Sequence, residues 1–278
     1  MNLAIVSIHG MGSQPKDFAA PMHQEIRKLY AGPSDLVFDS IHWAPVLTGS
    51  EDVLWGKVSG GHDLDFTKLR RFVLNALGDS VAYQPLKSSA DPKVKDVYRL
   101  VHEEVGNTLQ RIAQKAGGDA PLVILAHSLG SIIISNYFWD LWKPSSSENP
   151  PQKPQTPLER GETLAGFVTF GSPIALWSLR YANFGEPVPF PHSKLATHYP
   201  KVTGKWLNFF DQDDILGYPL KGINPKYKQV VTEDLQISVG NLFTGWNPVA
   251  HTEYWTDDDF TKPVSVLLNQ IAQSTQPS

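Results

Sequence analysis

The stretch PLVILAHSLGSIII, residues 121–134, breaks an apolar run at His127-Ser128 and resumes it at Ile132. Continuous rather than alternating apolar residues mark 121–126 as a strand buried on both faces, and 129–142 carry a helix-compatible apolar pattern. A strand that passes directly into a helix must turn sharply, and the apex of this turn falls on Ser128. Such a turn strains the serine backbone and lifts its Oγ off the sheet, while smallness at Ala126 and Gly130 lets strand and helix approach. The pattern is G-x-S-x-G with alanine in the first place. A strand end followed by an N-capping serine is the plainer alternative.

Further apolar runs at 3–8, 165–170 and 205–210 read as buried strands, with 36–43 a more polar candidate and 229–237 a last strand-like segment. Between them, Val94, Val97, Leu100, Val101, Val105, Leu109 and Ile112 keep a three-and-four spacing, which predicts an amphipathic helix over 93–116 ending near Gly117-Gly118. Strands alternating with helices predict an α/β fold with a mostly parallel central sheet flanked by helices. At 278 residues and 41% hydrophobic, the chain can bury one sizeable core, so a single domain over 1–278 suffices. Three segments interrupt the alternation. Residues 46–92 hold a helical patch (Phe66, Leu69, Phe72, Val73, Leu77) and read as a cap-like insertion or as extra core packing. Residues 143–163 have the Pro/Ser-rich, charged composition of a solvated surface loop. Residues 183–200, with four prolines among Phe184, Phe190 and Tyr199, read as an irregular packed loop.

Composition excludes several classes. The formal charge is −4 and the densest basic stretch is Lys68-Leu69-Arg70-Arg71, so nucleic acid is not an expected partner. There are no cysteines, hence neither disulfides nor a thiolate nucleophile. No apolar run approaches the roughly 18 residues of a membrane span. Met1-Asn2 leads straight into the first apolar run without a signal-peptide n-region, and a cytoplasmic location is expected. Gly10-Met11-Gly12 copies half of G-x-G-x-x-G, but the third glycine position is Pro15, which argues against a dinucleotide. His102-Glu103-Glu104-Val105-Gly106 lacks the second histidine of H-E-x-x-H, so neither a metal nor any other cofactor is expected.

A nucleophilic serine needs a base and an acid that orients it. His251, in a loop between the last strand-like segment and the C-terminal helical pattern, is the histidine best placed to reach a sheet edge. His9 and His127 each precede a turn and read as structural hydrogen-bonding residues. The acid is sought among Asp211, Asp213 and Asp214, directly after the 205–210 strand. Asp211 lies too early in the turn and suits capping nearby N–H groups, while Asp213 and Asp214 point to opposite sides of an extended segment. For a developing oxyanion, the Leu129 N–H at the helix start and the Met11 N–H of the glycine loop, with the Gly12 N–H beside it, are the candidate donors.

HGMG at 9–12, AHSLG at 126–130, the aspartates of 211–214 and HTEYW at 251–255 together resemble the α/β-hydrolase superfamily, in particular its lipase- and esterase-like members. The resemblance spans roughly residues 3–275. It implies a parallel sheet whose first two N-terminal strands, carried by many members, are missing here, and acyl transfer through an acyl-serine. Asp214, followed by two apolar residues and a Tyr-Pro turn, resembles the family's acid better than Asp213 does. The resemblance implies a small-molecule or lipid ester as substrate. Acyl transfer to another acceptor, thioester or amide hydrolysis, and a noncatalytic hydrolase-like binding protein are the alternatives. Oligomeric state is not legible.

Overall fold

The structure, a computed structural model, describes residues 1–61, 63–85, 96–143, 154–238 and 254–276. Six strands form one sheet: β1 (Asn2–Ile8), β2 (Asp35–Ile41), β3 (Leu122–His127), β4 (Leu164–Phe170), β5 (Lys205–Asp211) and β6 (Glu233–Ile237). Their order is β2-β1-β3-β4-β5-β6, and every neighbouring pair is parallel. Burial explains the sequence contrast between strands. Every residue of β3 and β4 is buried, so they read as unbroken apolar runs, whereas the edge strands β2 and β6 are partly exposed and keep polar residues.

The helices are α1 (Ala20–Leu29), α2 (Thr48–Ser59), α3 (Thr67–Ala82), α4 (Val97–Ala116), α5 (Leu129–Trp142), α6 (Ile174–Ser178), α7 (Leu195–His198), α8 (Pro225–Val230) and α9 (Asp258–Ser274). α4 and α5 cover one face of the sheet, α1 and α9 the other. In α4 the predicted stripe Val101, Val105, Leu109 and Ile112 is fully buried, and the helix stops where Gly117 adopts φ 111°. Its N-terminus is set by Asp96, whose side chain accepts the Arg99 N–H; residues 93–95 of the predicted helix lie outside the described residues.

After β1 the chain first builds β2 on one side and then returns to place β3 on the other. The strand order therefore reverses between β1 and β3, and the loops after those two strands meet at this switch point on the sheet's C-terminal edge. Those loops carry Gly10–Gly12 and Ser128. Among the described residues no helix is long and apolar enough to cross a membrane.

Three expectations change. The strand-like run 229–237 divides: α8 occupies 225–230, and pairing starts only at Glu233. Asn224 accounts for this, since its side chain caps the Lys226 and Tyr227 N–H groups ahead of Pro225 in the first turn. Within 46–92, α2 and α3 pack on each other, and of the apolar patch Val73 and Leu77 of α3 are exposed, as are the neighbouring Val81 and Phe66, the N-cap at φ 58°. Of 143–163, residues 144–153 lie outside the described residues, while the second part is packed rather than solvated. Leu158 and Glu162 are buried there, and Glu162 receives hydrogen bonds from Arg160 and Lys194 and pairs with His198. Arg160 above all holds the Glu162 carboxyl down at about 2.

A buried polar knot ties the far half of the sheet to the loop that follows β5. Asn208 accepts from the Thr169 hydroxyl at 2.8 Å and donates to the Tyr218 carbonyl at 3.0 Å and to Asp234 at 2.8 Å. Asp234 also accepts the Leu220 and Lys221 N–H groups, both at 2.9 Å. Replacing Asn208 by leucine keeps the branching at Cγ, removes the amide and strands these partners. Urea denaturation of Asn208→Leu is expected to show a loss of about 1–3 kcal/mol for each group left unpaired and buried.

Candidate active site

Ser128 is the single residue between β3 and α5 and adopts φ 50° and ψ −127°, a region that costs a non-glycine residue on the order of 1–3 kcal/mol. The turn is held from both sides. The Ser128 N–H donates to the Phe170 carbonyl at 2.9 Å, and the Ser128 carbonyl accepts the Ser131 N–H at 2.9 Å and the Ser131 hydroxyl at 2.6 Å. Because Ser131 has spent its proton there, Ser172 is the donor in the 2.7 Å contact between the Ser131 and Ser172 hydroxyls. The Ser128 side chain makes no N-cap bond to α5, unlike a serine placed only to start a helix. The residue is fully buried.

Glycine is required around this apex by close contact. A Cβ on Gly10 would fall 2.5 Å from the Ser128 Cβ, and one on Gly130 would fall 2.7 Å from the His9 carbonyl oxygen. The glycine loop after β1 and the start of α5 are thus packed directly on the serine turn. Leu129, the first residue of α5, carries one of the N–H groups that a helix cannot satisfy internally.

The two histidines beside these turns are both buried. His9 donates from Nδ1 to the Gly10 carbonyl at 2.8 Å, accepts the Ala44 N–H on Nε2 at 3.2 Å and stacks on Trp43. The bond from Ala44 requires the neutral ring, and burial pushes its pKa down to about 3. His127 is buried among the rings of Phe170, Tyr254 and Trp255.

The three aspartates separate by environment. Asp211 ends β5 and its carboxylate accepts the Asp213 N–H at 2.6 Å, which is the capping role expected for it. Asp213 is exposed. Asp214 is buried and accepts the Leu216 N–H and the Tyr254 hydroxyl, each at 2.9 Å. Tyr254 in turn accepts the Asp211 N–H at 2.9 Å. Burial, then the Asp214 charge, raises the Tyr254 pKa, so the hydroxyl stays a donor. The Asp214 loop also reaches the tip of β4, where the Tyr218 N–H donates to the Ser172 carbonyl at 3.3 Å. His251 falls in 239–253, outside the described residues; the chain resumes at Tyr254 on the Asp214 carboxylate. Tyr254 carries no signal in the sequence beyond its place within HTEYW, since a tyrosine near an acid is ordinary.

The sequence also gave no sign of the contact made by α3. Asp79 is buried and accepts the Gly12 N–H at 2.7 Å, and the neighbouring Ser80 hydroxyl lies 3.7 Å from the Met11 sulfur. This engages one of the candidate oxyanion donors and leaves Met11 as the residue of that loop to pair with Leu129. Against Asp79 lies a second buried carboxyl, Glu51 of α2. Burial raises both, and the Asp79 charge adds to the rise of Glu51, which reaches about 8. The pair therefore holds one shared proton near neutrality. Among the described residues no group of three His, Asp or Glu side chains stands together as metal ligands.

Glu51 is raised in the folded state, so its stabilising contribution is complete below the unfolded carboxyl value and is lost as pH climbs through about 8. Thermal denaturation between about pH 6 and pH 9 is expected to show a falling Tm. The fall should be shallower in Glu51→Gln, whose amide donates to Asp79 at every pH. Compared with known proteins, the chain matches no family model and no curated protein sequence.

Proposed function

We propose that the chain is a serine hydrolase of the α/β-hydrolase type that cleaves carboxylic esters through an acyl-serine intermediate. The observation that carries this reading is the Ser128 backbone: a non-glycine residue at φ 50°, walled by Gly10 and Gly130, on the turn between a buried parallel strand and a helix. Strain of this kind persists where the surroundings over-determine it, and a strand-to-helix serine elbow is one such place. The all-parallel order β2-β1-β3-β4-β5-β6, with the serine beside the switch point, supports a fold of this type.

In the proposed reaction Ser128 Oγ attacks the ester carbonyl carbon while His251 takes the hydroxyl proton. The carbonyl oxygen becomes an oxyanion received by the Leu129 and Met11 N–H groups. Collapse of the tetrahedral intermediate expels the alcohol, which leaves with the proton from His251. Water, deprotonated by the same imidazole, then releases the acid and restores the serine. Asp214 orients His251 and stabilises the imidazolium. Its burial and its two donors, against the exposure of Asp213, support choosing it, and His251 lies only three residues before Tyr254 in sequence.

Two measurements test this. A fluorophosphonate should label Ser128 covalently, and a series of p-nitrophenyl esters from acetate to palmitate should be hydrolysed. Ser128→Ala is expected to abolish labelling and lower kcat by about 10³–10⁶-fold with an unchanged circular dichroism spectrum. Labelled protein that hydrolyses no ester would instead indicate another acyl acceptor or bond, and no labelling would leave a noncatalytic binding protein.

Asp214→Asn is expected to cut ester turnover by about 10²–10⁴-fold, because the imidazolium loses its counter-charge and its correct tautomer. Asp213→Asn, on an exposed side chain, is expected to stay within about twofold of wild type. The reverse ranking in a steady-state assay would assign the acid to Asp213.

A further inference from the structure

The glycine loop that follows β1 is held along its length. At its base a Cβ on Gly10 would strike the Ser128 Cβ at 2.5 Å, so the backbone there rests on the serine turn. At its far end the His42 Nε2–H donates to the Gln14 carbonyl at 2.6 Å. Between these points α3 supplies the anchor, since the Asp79 carboxylate accepts the Gly12 N–H at 2.7 Å and the Ser80 hydroxyl lies 3.7 Å from the Met11 sulfur. Met11 stands between two glycines, with Gly12 at φ 83°, so the peptide planes on either side of it meet little steric resistance to rotation. A bond from a backbone N–H to a carboxylate is charge-assisted and roughly twice as strong as a neutral one. It fixes the plane between Met11 and Gly12. With Gly10 seated on the serine turn, the plane that carries the Met11 N–H is then constrained from both ends.

Asp79 holds this place beside a second carboxyl. Glu51 of α2 is hydrogen-bonded to Asp79, and both are buried. Among the described residues the Glu51 Oε1 and the Asp79 Oδ1 meet no donor, and a single proton between the two carboxyls supplies one. The other charges that face Glu51 are Asp52 of α2 and Arg71 of α3. These two are exposed and paired with each other at 2.6 Å, so the Arg71 cation is already committed.

We propose that the carboxyl pair of α2 and α3 regulates the oxyanion loop: with one proton between Glu51 and Asp79, Asp79 holds the Gly12 N–H and keeps the Met11 N–H turned towards the oxyanion beside Ser128, and loss of that proton loosens the hold. Asp79 is a positioning residue, because it touches the loop and not the substrate. The inference rests on the serine-hydrolase reading, in which Met11 is a donor, and it gives the cap-like insertion a task in that reaction. The proton leaves Glu51 for solvent as pH climbs through about 8. Two like charges then face each other in a buried contact, and parting α2 from α3 relieves the repulsion while drawing Asp79 off Gly12.

The test follows hydrolysis of the most reactive p-nitrophenyl ester by the full chain from about pH 6 to pH 9.5, with fluorophosphonate labelling of Ser128 as a second readout. Wild type is expected to gain activity as the imidazole of the proposed base loses its proton, then to decline with a midpoint near about pH 8 while its circular dichroism spectrum stays constant. In Glu51→Gln the amide donates to Asp79 at every pH, so the alkaline decline should vanish. Asp79→Leu removes the acceptor and should lower kcat about 10–100-fold near neutrality with KM within about threefold. Asp79→Asn, whose carbonyl still accepts the Gly12 N–H, should recover most of that loss. A role in fold stability alone would change neither the split between kcat and KM nor the alkaline limb. Ser128-dependent turnover whose kcat is unchanged in Asp79→Leu, or whose alkaline decline is absent or equally deep in Glu51→Gln, would overturn the proposal and leave the hydrolase reading standing. Wild type that neither takes the label nor cleaves an ester would overturn both.

Discussion

The Ser128 N–H bonded to the Phe170 carbonyl is the contact on which the rest of the site depends. It carries the pairing of β3 and β4 one residue beyond the end of β3, so the chain must turn into α5 at once. That abrupt turn forces the positive φ at Ser128 and brings α5 against the loop after β1. The contacts then leave no room for a side chain at Gly10 or Gly130. The two glycines and the strained serine are one geometric solution rather than three separate features.

A second set of buried bonds delivers the loop after β5 to the same edge. Asn208 and Asp234 clamp its far end through Tyr218, Leu220 and Lys221, while Tyr254 joins Asp211 to Asp214 at its near end. A carboxylate that accepts two donors in a buried position keeps its orientation, since each bond removes a rotation the side chain would otherwise have. Asp213, next in sequence and exposed, has no such restraint. Position relative to water, more than sequence, is what distinguishes the two acids.

The helical pair α2 and α3 adds a layer in which Val53, Leu54, Val73, Leu77 and Val81 are exposed while the carboxyls of Glu51 and Asp79 are buried. Asp79 closes on the Gly12 N–H and Glu51 closes on Asp79, an inversion of the usual preference that is tolerable because a shared proton removes one of the two charges. Amphipathic periodicity alone would place this pair the other way round. In α4 the same kind of stripe is buried against the sheet, as expected.

What could be read from the sequence were the features that depend on local pattern. Buried parallel strands need unbroken apolar runs, an amphipathic helix needs its three-and-four stripe, and a strand-to-helix turn needs small neighbours; β1, β3, β4, β5, α4 and the Ser128 turn follow from these rules. The α8 boundary was obscured because a side-chain cap at Asn224 outcompeted a short apolar run. The different environments of the three clustered aspartates, the hydroxyl of Tyr254 on Asp214 and the grip of Asp79 on Gly12 became visible only in three dimensions. Each joins residues far apart in the chain, and such contacts depend on which surfaces the folded sheet brings together, a property with no local sequence period.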